Sequence, residues 1–328
     1  MTVLIGYESA MQVWRELGPG YLGAGEDRRV ATRKAMNALS TLEKPQLPCG
    51  SWRPPGTTLP VEVLVGGDQA RVRSEYLKSY VCQSVPGRSF VETGKGFLTS
   101  TPEFCFVQMA TKLTFAKLVL LGFELCGTYA LAVDGPARRT IAPLTSAVKL
   151  RSFAEGAVGM RGRKVALQAS RYVLDGSASP MESTLAMLLS LPYAKGGYGL
   201  PVPLLNYRVD IPQRARKRAD RRYCECDLCW PDAHLAVEYD SDLYHSDSLR
   251  QESDARRRNT LIALGFTVVT VSRGQISDGA AFNRLANQLA KILKKRFRYK
   301  DPGFSRAHLA LREELLGSLR LAKSRLDC

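Results

Sequence analysis

Residues 224–245 read CECDLCWPDAHLAVEYDSDLYH. Three cysteines, two histidines and a Pro-Asp pair crowd into this stretch, with acidic residues spread through it. It reads either as a cysteine-based metal knuckle or as a carboxylate site on two strands. Alternation decides between them, because successive side chains of a strand point to opposite faces. YCECDLCW (223–230) and LAVEYD (235–240) both alternate, and PDAH (231–234) lies between them as a turn. A hairpin turning on Pro231 and Asp232 sets Asp227 against Ala236. It gathers Glu225, Asp227, Glu238 and Asp240 on one face, and Cys226, Leu228, Val237 and Leu235 on the other. A slip of one residue would bury the carboxylates, which is costly. In this register Cys224 and Cys226 point one way and Cys229 the other. The three thiols therefore do not converge, and a structural zinc site needs four ligands. Asp232, in the turn after a proline, is explained by local hydrogen bonding.

Asp227 and Glu238 come out as diagonal neighbours, roughly 5–8 Å apart. Carboxylates that close want a proton or a cation between them, and hard oxygen donors suit Mg²⁺ or Mn²⁺. Outward from the hairpin, the pattern is helix, three strands, helix, strand, helix. SPMES (179–183) starts the first helix, with Ser179 as cap, Pro180 at the first helical position and Glu182 completing a capping box. LPVPLLNYRVDI is a strand, a helix runs from about 246 to 264, FTVVTVS is a strand, and AFNRLANQLAKILKKRFR is a helix. The expected fold class is α/β, a mixed sheet flanked by helices. Asp254, Arg257, Leu261 and Leu264 share the inward stripe of the second helix, whereas Arg256 and Arg258 point to solvent or phosphate.

The other half reads as a mixed α+β domain, with a boundary near residue 176. Helices are expected over 7–16 and 29–43 and a strand in LPVEVLVGG. Thr101, Pro102 and Glu103 start another helix, and RKVALQASRYVLDGSAS reads as one helix ending at Gly176. The apolar stretch 113–133 is broken by Lys117 and Glu124, so it reads as a buried helix and not a membrane span. The first 17 residues lack the charge and apolar core of a signal peptide. Eight cysteines then read as reduced thiols of a cytoplasmic protein.

The 328 residues carry a formal net charge of +16. From residue 177 on there are 25 Lys/Arg against 17 Asp/Glu, a net +8, which leaves +8 for the first 176 residues. Both halves are basic, which favours a polyanionic partner, nucleic acid first and an anionic membrane surface second. QRARKRADRR (213–222) joins two strands and holds six basic residues, Arg214, Arg216, Lys217, Arg218, Arg221 and Arg222. No aromatic interrupts it, so it reads as a clamp on the phosphate backbone and not a stacking platform.

As a set, these motifs resemble the PD-(D/E)XK nuclease superfamily, and within it the branch near very-short-patch repair endonucleases. The likeness covers roughly 178–290. It rests on Asp227, on E-x-D at Glu238 and Asp240, on His245, and on the helix pattern Asp254, Arg257, Leu261 before Gly265, with Glu182 at the place of the family's helix glutamate. The resemblance implies a restriction-endonuclease-like fold over 177–300 and hydrolysis of DNA, most simply duplex. It also implies Mg²⁺ or Mn²⁺ on Asp227, Glu238 and Asp240, with Glu182, His245 and Arg257 completing the catalytic set. Two departures stand out: Asp240 replaces the superfamily's usual lysine, and Ser241 stands where the branch has glycine. The upstream segments LPVEVLVGG, FLTSTPEFCFVQMATKL and LVLLGFELCGTYAL resemble the middle domain of AbiE-type antitoxins. That implies an N-terminal domain over 1–176 linked to defence, mobile elements or repair, with residues 301–328 as a helical extension, and leaves room for a protein partner. The alternatives are a DNA-binding regulator, antitoxin-like, that has lost its chemistry, and a nuclease directed at RNA.

Overall fold

The computed structural model describes residues 2–23, 25–41, 43–45, 53–94, 96–132, 136–213, 222–240, 248–297 and 302–324. It divides into two compact units, Met1–Asp175 and Gly176–Cys328, and is mixed α/β.

The first unit is built on a five-stranded sheet of β1 (Val3–Ile5), β2 (Val61–Val65), β3 (Leu77–Val81), β4 (Phe90–Gly94) and β5 (Phe97–Ser100), in the order β3-β2-β1-β5-β4. β1 runs parallel to β5 and antiparallel to β2, and β2 is parallel to β3. Its helices are α1 (Tyr7–Leu17), α2 (Gly25–Ser40), α3 (Pro102–Met109), α4 (Phe115–Leu125), α5 (Ala147–Gly156) and α6 (Arg163–Ser170). A two-stranded ribbon, β6 (Tyr129–Ala130) with β7 (Arg138–Arg139), completes it. The Thr101 hydroxyl accepts the Phe104 N–H and Pro102 occupies the first helical position of α3, as the sequence predicts. Trp14 is fully buried, and its ring N–H reaches the Ser100 carbonyl at 2.7 Å.

Three boundaries differ from expectation. The second helix starts four residues earlier, at Gly25, and ends at Ser40. The apolar stretch 113–133 forms helix only over α4. Among the described residues no helix is long and apolar enough to cross a membrane. The helix expected to end at Gly176 stops at Ser170. Beyond it Val173 packs against Gly122 of α4, where any Cβ would come within 2.3 Å of a Val173 methyl. Tertiary packing of a β-branched residue overrides the local helical pattern there.

The second unit starts with α7 (Pro180–Ser190) and continues with β8 (Leu204–Asp210), β9 (Tyr223–Trp230) and β10 (Leu235–Asp240). Then follow α8 (Ser248–Ala263), β11 (Thr267–Ser272), α9 (Arg273–Ser277), α10 (Gly279–Ile292) and α11 (Pro302–Ser324). The sheet order is β11-β10-β9-β8. β8, β9 and β10 are antiparallel neighbours, and β11 is parallel to β10 through the α8 crossover. α11 belongs to this unit: His308 and Arg312 are buried, the former against the Gly196 carbonyl at 2.7 Å and the latter on the Ile276 and Ser277 carbonyls.

Candidate active site

The hairpin has the expected strands but a longer turn. Leu235 pairs with Trp230 and Val237 with Leu228, so four residues, Pro231–His234, make the connection. Pro231–Ala233 form a 3₁₀ turn, and His234 closes it in the left-handed region at φ 45°. The register is displaced by two residues from a turn on Pro231 and Asp232. An even displacement keeps every side chain on its face. Continued one residue past the Val237–Leu228 pair, this register sets Glu238 across from Asp227, where a diagonal relation was expected.

The expected divergence of Cys229 from Cys224 and Cys226 does not hold. Cys224, Cys226 and Cys229 lie in one buried cluster with Ala236 of β10 and Leu261 of α8. Strict alternation is lost between Cys226 and Cys229. The disturbance coincides with Asn206 of β8, which stands opposite Asp227 with φ 45°, a left-handed conformation that a regular strand does not use. The Cys226 and Cys229 thiols are hydrogen-bonded to each other, which raises the pKa of Cys226 and lowers that of Cys229. So the thiols converge, contrary to the sequence reading, but as a core cluster. Among the described residues no group of three or more His, Cys, Asp or Glu is placed to hold a metal ion.

The carboxylates sit beside this cluster. Glu238 is buried, and an Arg257 guanidinium nitrogen lies 2.7 Å from its Oε2. Arg257 thus faces inward on α8 as its stripe predicts, while Arg256 and Arg258 are exposed. Asp227 is half-buried, and its Oδ2 accepts the Tyr239 backbone N–H at 2.7 Å. Burial, then the Glu238 charge, then the Glu182 charge push the Asp227 carboxyl up to about 7, against the lowering effects of the Tyr239 N–H and Arg257. Glu182 is buried in the first turn of α7. The Ser179 side chain accepts the Glu182 N–H as expected, but the return bond of a capping box is not made. The Glu182 Oε2 accepts instead from the Ala178 N–H at 2.9 Å and from the Asn206 side-chain amide at 2.7 Å. The same Asn206 nitrogen donates to the Gly176 carbonyl at 2.9 Å. Asn206 is a member of the site that sequence reasoning missed; the available signal was an asparagine inside a strand pattern, where that residue is disfavoured.

Asp240 ends β10, partly exposed and level with Ser272 of β11. Glu225 is exposed and stands across the sheet from Arg208. Arg222 is exposed just before β9. His245, Ser241, Arg214, Arg216, Lys217, Arg218, Arg221 and the Asp254 side chain lie outside the described residues.

Asp227 and Glu238 suit a hard divalent ion in kind, and Mg²⁺ is commonly held by one or two carboxylates with water and substrate oxygens completing its shell. Burial and the neighbouring Glu238 and Glu182 charges raise the Asp227 carboxyl, and a cation would relieve the part of that shift that comes from the carboxylates. The pair therefore fits such an ion.

No family model matches the chain, and no solved structure matches it. Two uncharacterized proteins of Mycobacterium tuberculosis, from strains CDC 1551 / Oshkosh and ATCC 25618 / H37Rv, are each 32% identical to it over 166 residues. The aligned part is 48% of this chain and 55% of each relative, so the chain spans about half the length of the curated relatives it matches.

Proposed function

We propose that the unit Gly176–Cys328 is a metal-dependent endonuclease that hydrolyses DNA, with a restriction-endonuclease-like core. The observation that carries this reading is the half-buried Asp227 and the buried Glu238 on neighbouring strands, with Arg257 against Glu238. The order helix, three strands, helix, strand, with β11 alone parallel to its neighbour, supports it. So does the basic charge of the chain, which draws a polyanion toward a site whose own carboxylates would repel it.

Asp227 and Glu238 would hold Mg²⁺ or Mn²⁺, with Asp240 at the strand end within the same set. The bound ion would polarise the phosphoryl oxygen and lower the pKa of attacking water. Arg257 is placed to offset negative charge developing on the phosphate when it is released from Glu238. Glu182, fixed by Asn206 and the Ala178 N–H, adds its charge to burial and Glu238 in raising the Asp227 proton affinity. His245 remains the candidate general base.

The test is cleavage of supercoiled plasmid with Mg²⁺ or Mn²⁺ by the parent chain, Asp227→Asn, Glu238→Gln and the exposed Glu225→Gln. Cleavage by the parent and by Glu225→Gln alone supports the reading. Persistence in Asp227→Asn and Glu238→Gln, or its absence from the parent, removes it. One observation favours a second reading, DNA binding without cleavage: Arg257 already neutralises Glu238. Salt-sensitive DNA binding with no cleavage and no Mg²⁺ affinity is its signature.

A further inference from the structure

A cleft of about 960 Å³ opens beside β3, the edge strand of the sheet in the first unit. Its wall carries five cations, Arg71, Arg73, Lys78, Lys112 and Arg161, and one carboxylate, Asp68. Glu62 is buried and is not among the residues that line it. Lys112 is fixed at the floor. Its ammonium lies 4.6 Å from the Tyr7 ring centre and 4.4 Å from that of Tyr80, and the rings are 4.1 Å apart. Glu62 Oε1 accepts both Lys112, at 2.5 Å, and the Tyr80 hydroxyl, at 2.8 Å. Tyr7 holds a left-handed φ of 52°, unusual for a bulky residue, and its N–H is anchored on Gln108. Arg71 pairs with Asp68 at 2.6 Å, and Lys78 is 3.8 Å from Glu62. Arg73 and Arg161 have no carboxylate partner among the described residues.

From this geometry we infer that the cleft binds a nucleic-acid strand through its phosphodiester backbone, at a site separate from the carboxylate pair and independent of the nuclease reading. Five cations face two carboxylates, so the concave wall keeps a positive surplus that its low-dielectric sides concentrate. Guanidinium groups without a carboxylate partner suit phosphate oxygens, which they engage bidentately. Gln83, Ser84 and Thr111 add neutral donors of the kind that position a backbone without reading bases. The Tyr7 and Tyr80 rings pack against each other at a tilt of 33° and are covered by Lys112, so base stacking on them is not the mode. The volume is at the top of the ~300–1,000 Å³ range of small-molecule pockets, and the wall is polar where those are mainly apolar. A chain of phosphates fits this better than a single compact ligand.

The experiment is fluorescence anisotropy of the full chain with a labelled oligothymidylate in EDTA, repeated across a salt series. No cleavage is read, so failure of the nuclease reading leaves the result intact. Arg73→Ala/Arg161→Ala should weaken binding about tenfold and make the slope of log K against log salt less negative by about 1.4, two single-strand phosphate contacts. The control Lys34→Ala/Arg151→Ala removes two cations elsewhere on the same unit and should leave affinity near the parent's. The inference is overturned by an unchanged slope and affinity in the Arg73/Arg161 variant, or by equal losses in the control. It is also overturned if a nucleoside monophosphate binds as tightly as the oligomer.

Discussion

Asp227 Oδ2 accepts the backbone N–H of Tyr239 at 2.7 Å, from the residue that follows Glu238 in β10. That bond favours the ionised carboxylate, yet burial and the neighbouring carboxylates outweigh it and hold the Asp227 pKa at about 7, above its ordinary 3.8. In the folded chain Asp227 therefore keeps a proton that the unfolded chain releases. Between about pH 4 and pH 7 the native state binds more protons, so this group makes stability fall as pH rises, and the decline levels off above 7. Asp227→Asn should remove the decline and stabilise the chain at pH 8 by on the order of 2–4 kcal/mol, with little change at pH 4. Urea melts of parent and variant at several pH values check this. A parent whose stability is flat across that window contradicts it.

Arg257 and Glu238 form the tightest ion pair described in this unit's core, with the Glu238 side chain only 8% exposed. Removing the cation leaves a buried carboxylate beside a second one. Arg257→Ala should cost about 3 kcal/mol, while Arg257→Ala combined with Glu238→Gln should recover most of the loss. Thermal unfolding of the single and double variants reads the coupling. If the double variant is no more stable than the single, the pair is not what holds Arg257 in place.

Asn206 serves two acceptors, Glu182 and the Gly176 carbonyl, from a left-handed backbone. Asn206→Ala loses both bonds and keeps the strained φ, for a cost of about 2–3 kcal/mol. Asn206→Gly loses the same bonds but relaxes the backbone, and should cost about 1 kcal/mol less. Equal losses in the two variants would mean that the backbone conformation carries no strain.

His308 titrates in the opposite sense. Burial, and after it the neighbouring Arg312, lower its pKa, although the bond from Nδ1 to the Gly196 carbonyl works against that. The stability it contributes is present above its ordinary pKa of about 6.5 and is lost as pH falls further. His308→Gln should flatten the acid side of the stability profile near pH 5–6 and leave the Asp227-dependent decline at higher pH. Chemical denaturation at pH 5 and pH 8 separates the two groups.

Much of the second unit was legible because period-2 alternation and capping chemistry are local. The eight residues of β9, the six of β10 and the Ser179–Pro180 start of α7 follow from neighbours in sequence. The turn was misjudged because His234 adopts a left-handed conformation that nothing nearby demands, and a four-residue link replaced a two-residue one. That error does not by itself move a carboxylate to the other face, because a displacement by two residues conserves parity. The convergence of Cys229 with Cys224 and Cys226 was not legible, because the left-handed Asn206 with which it coincides lies on a strand distant in sequence. Glu182 was recognised as a cap, but its true partners, Ala178 and Asn206, depend on where β8 lies. In the first unit the early end of α6 follows from the Val173–Gly122 contact, which no window of local sequence contains.

β9 and β10 are the two inner strands of their sheet, each paired on both edges. Their amides open only when the sheet itself opens, so they should be among the slowest of the chain to exchange with deuterium. Glu238, paired with Thr270 of β11, is thus carried on a strand that does not adjust to a ligand by fraying at an open edge. Accommodation falls to the side chains of α7 and α8, and above all to the rotamers of Arg257.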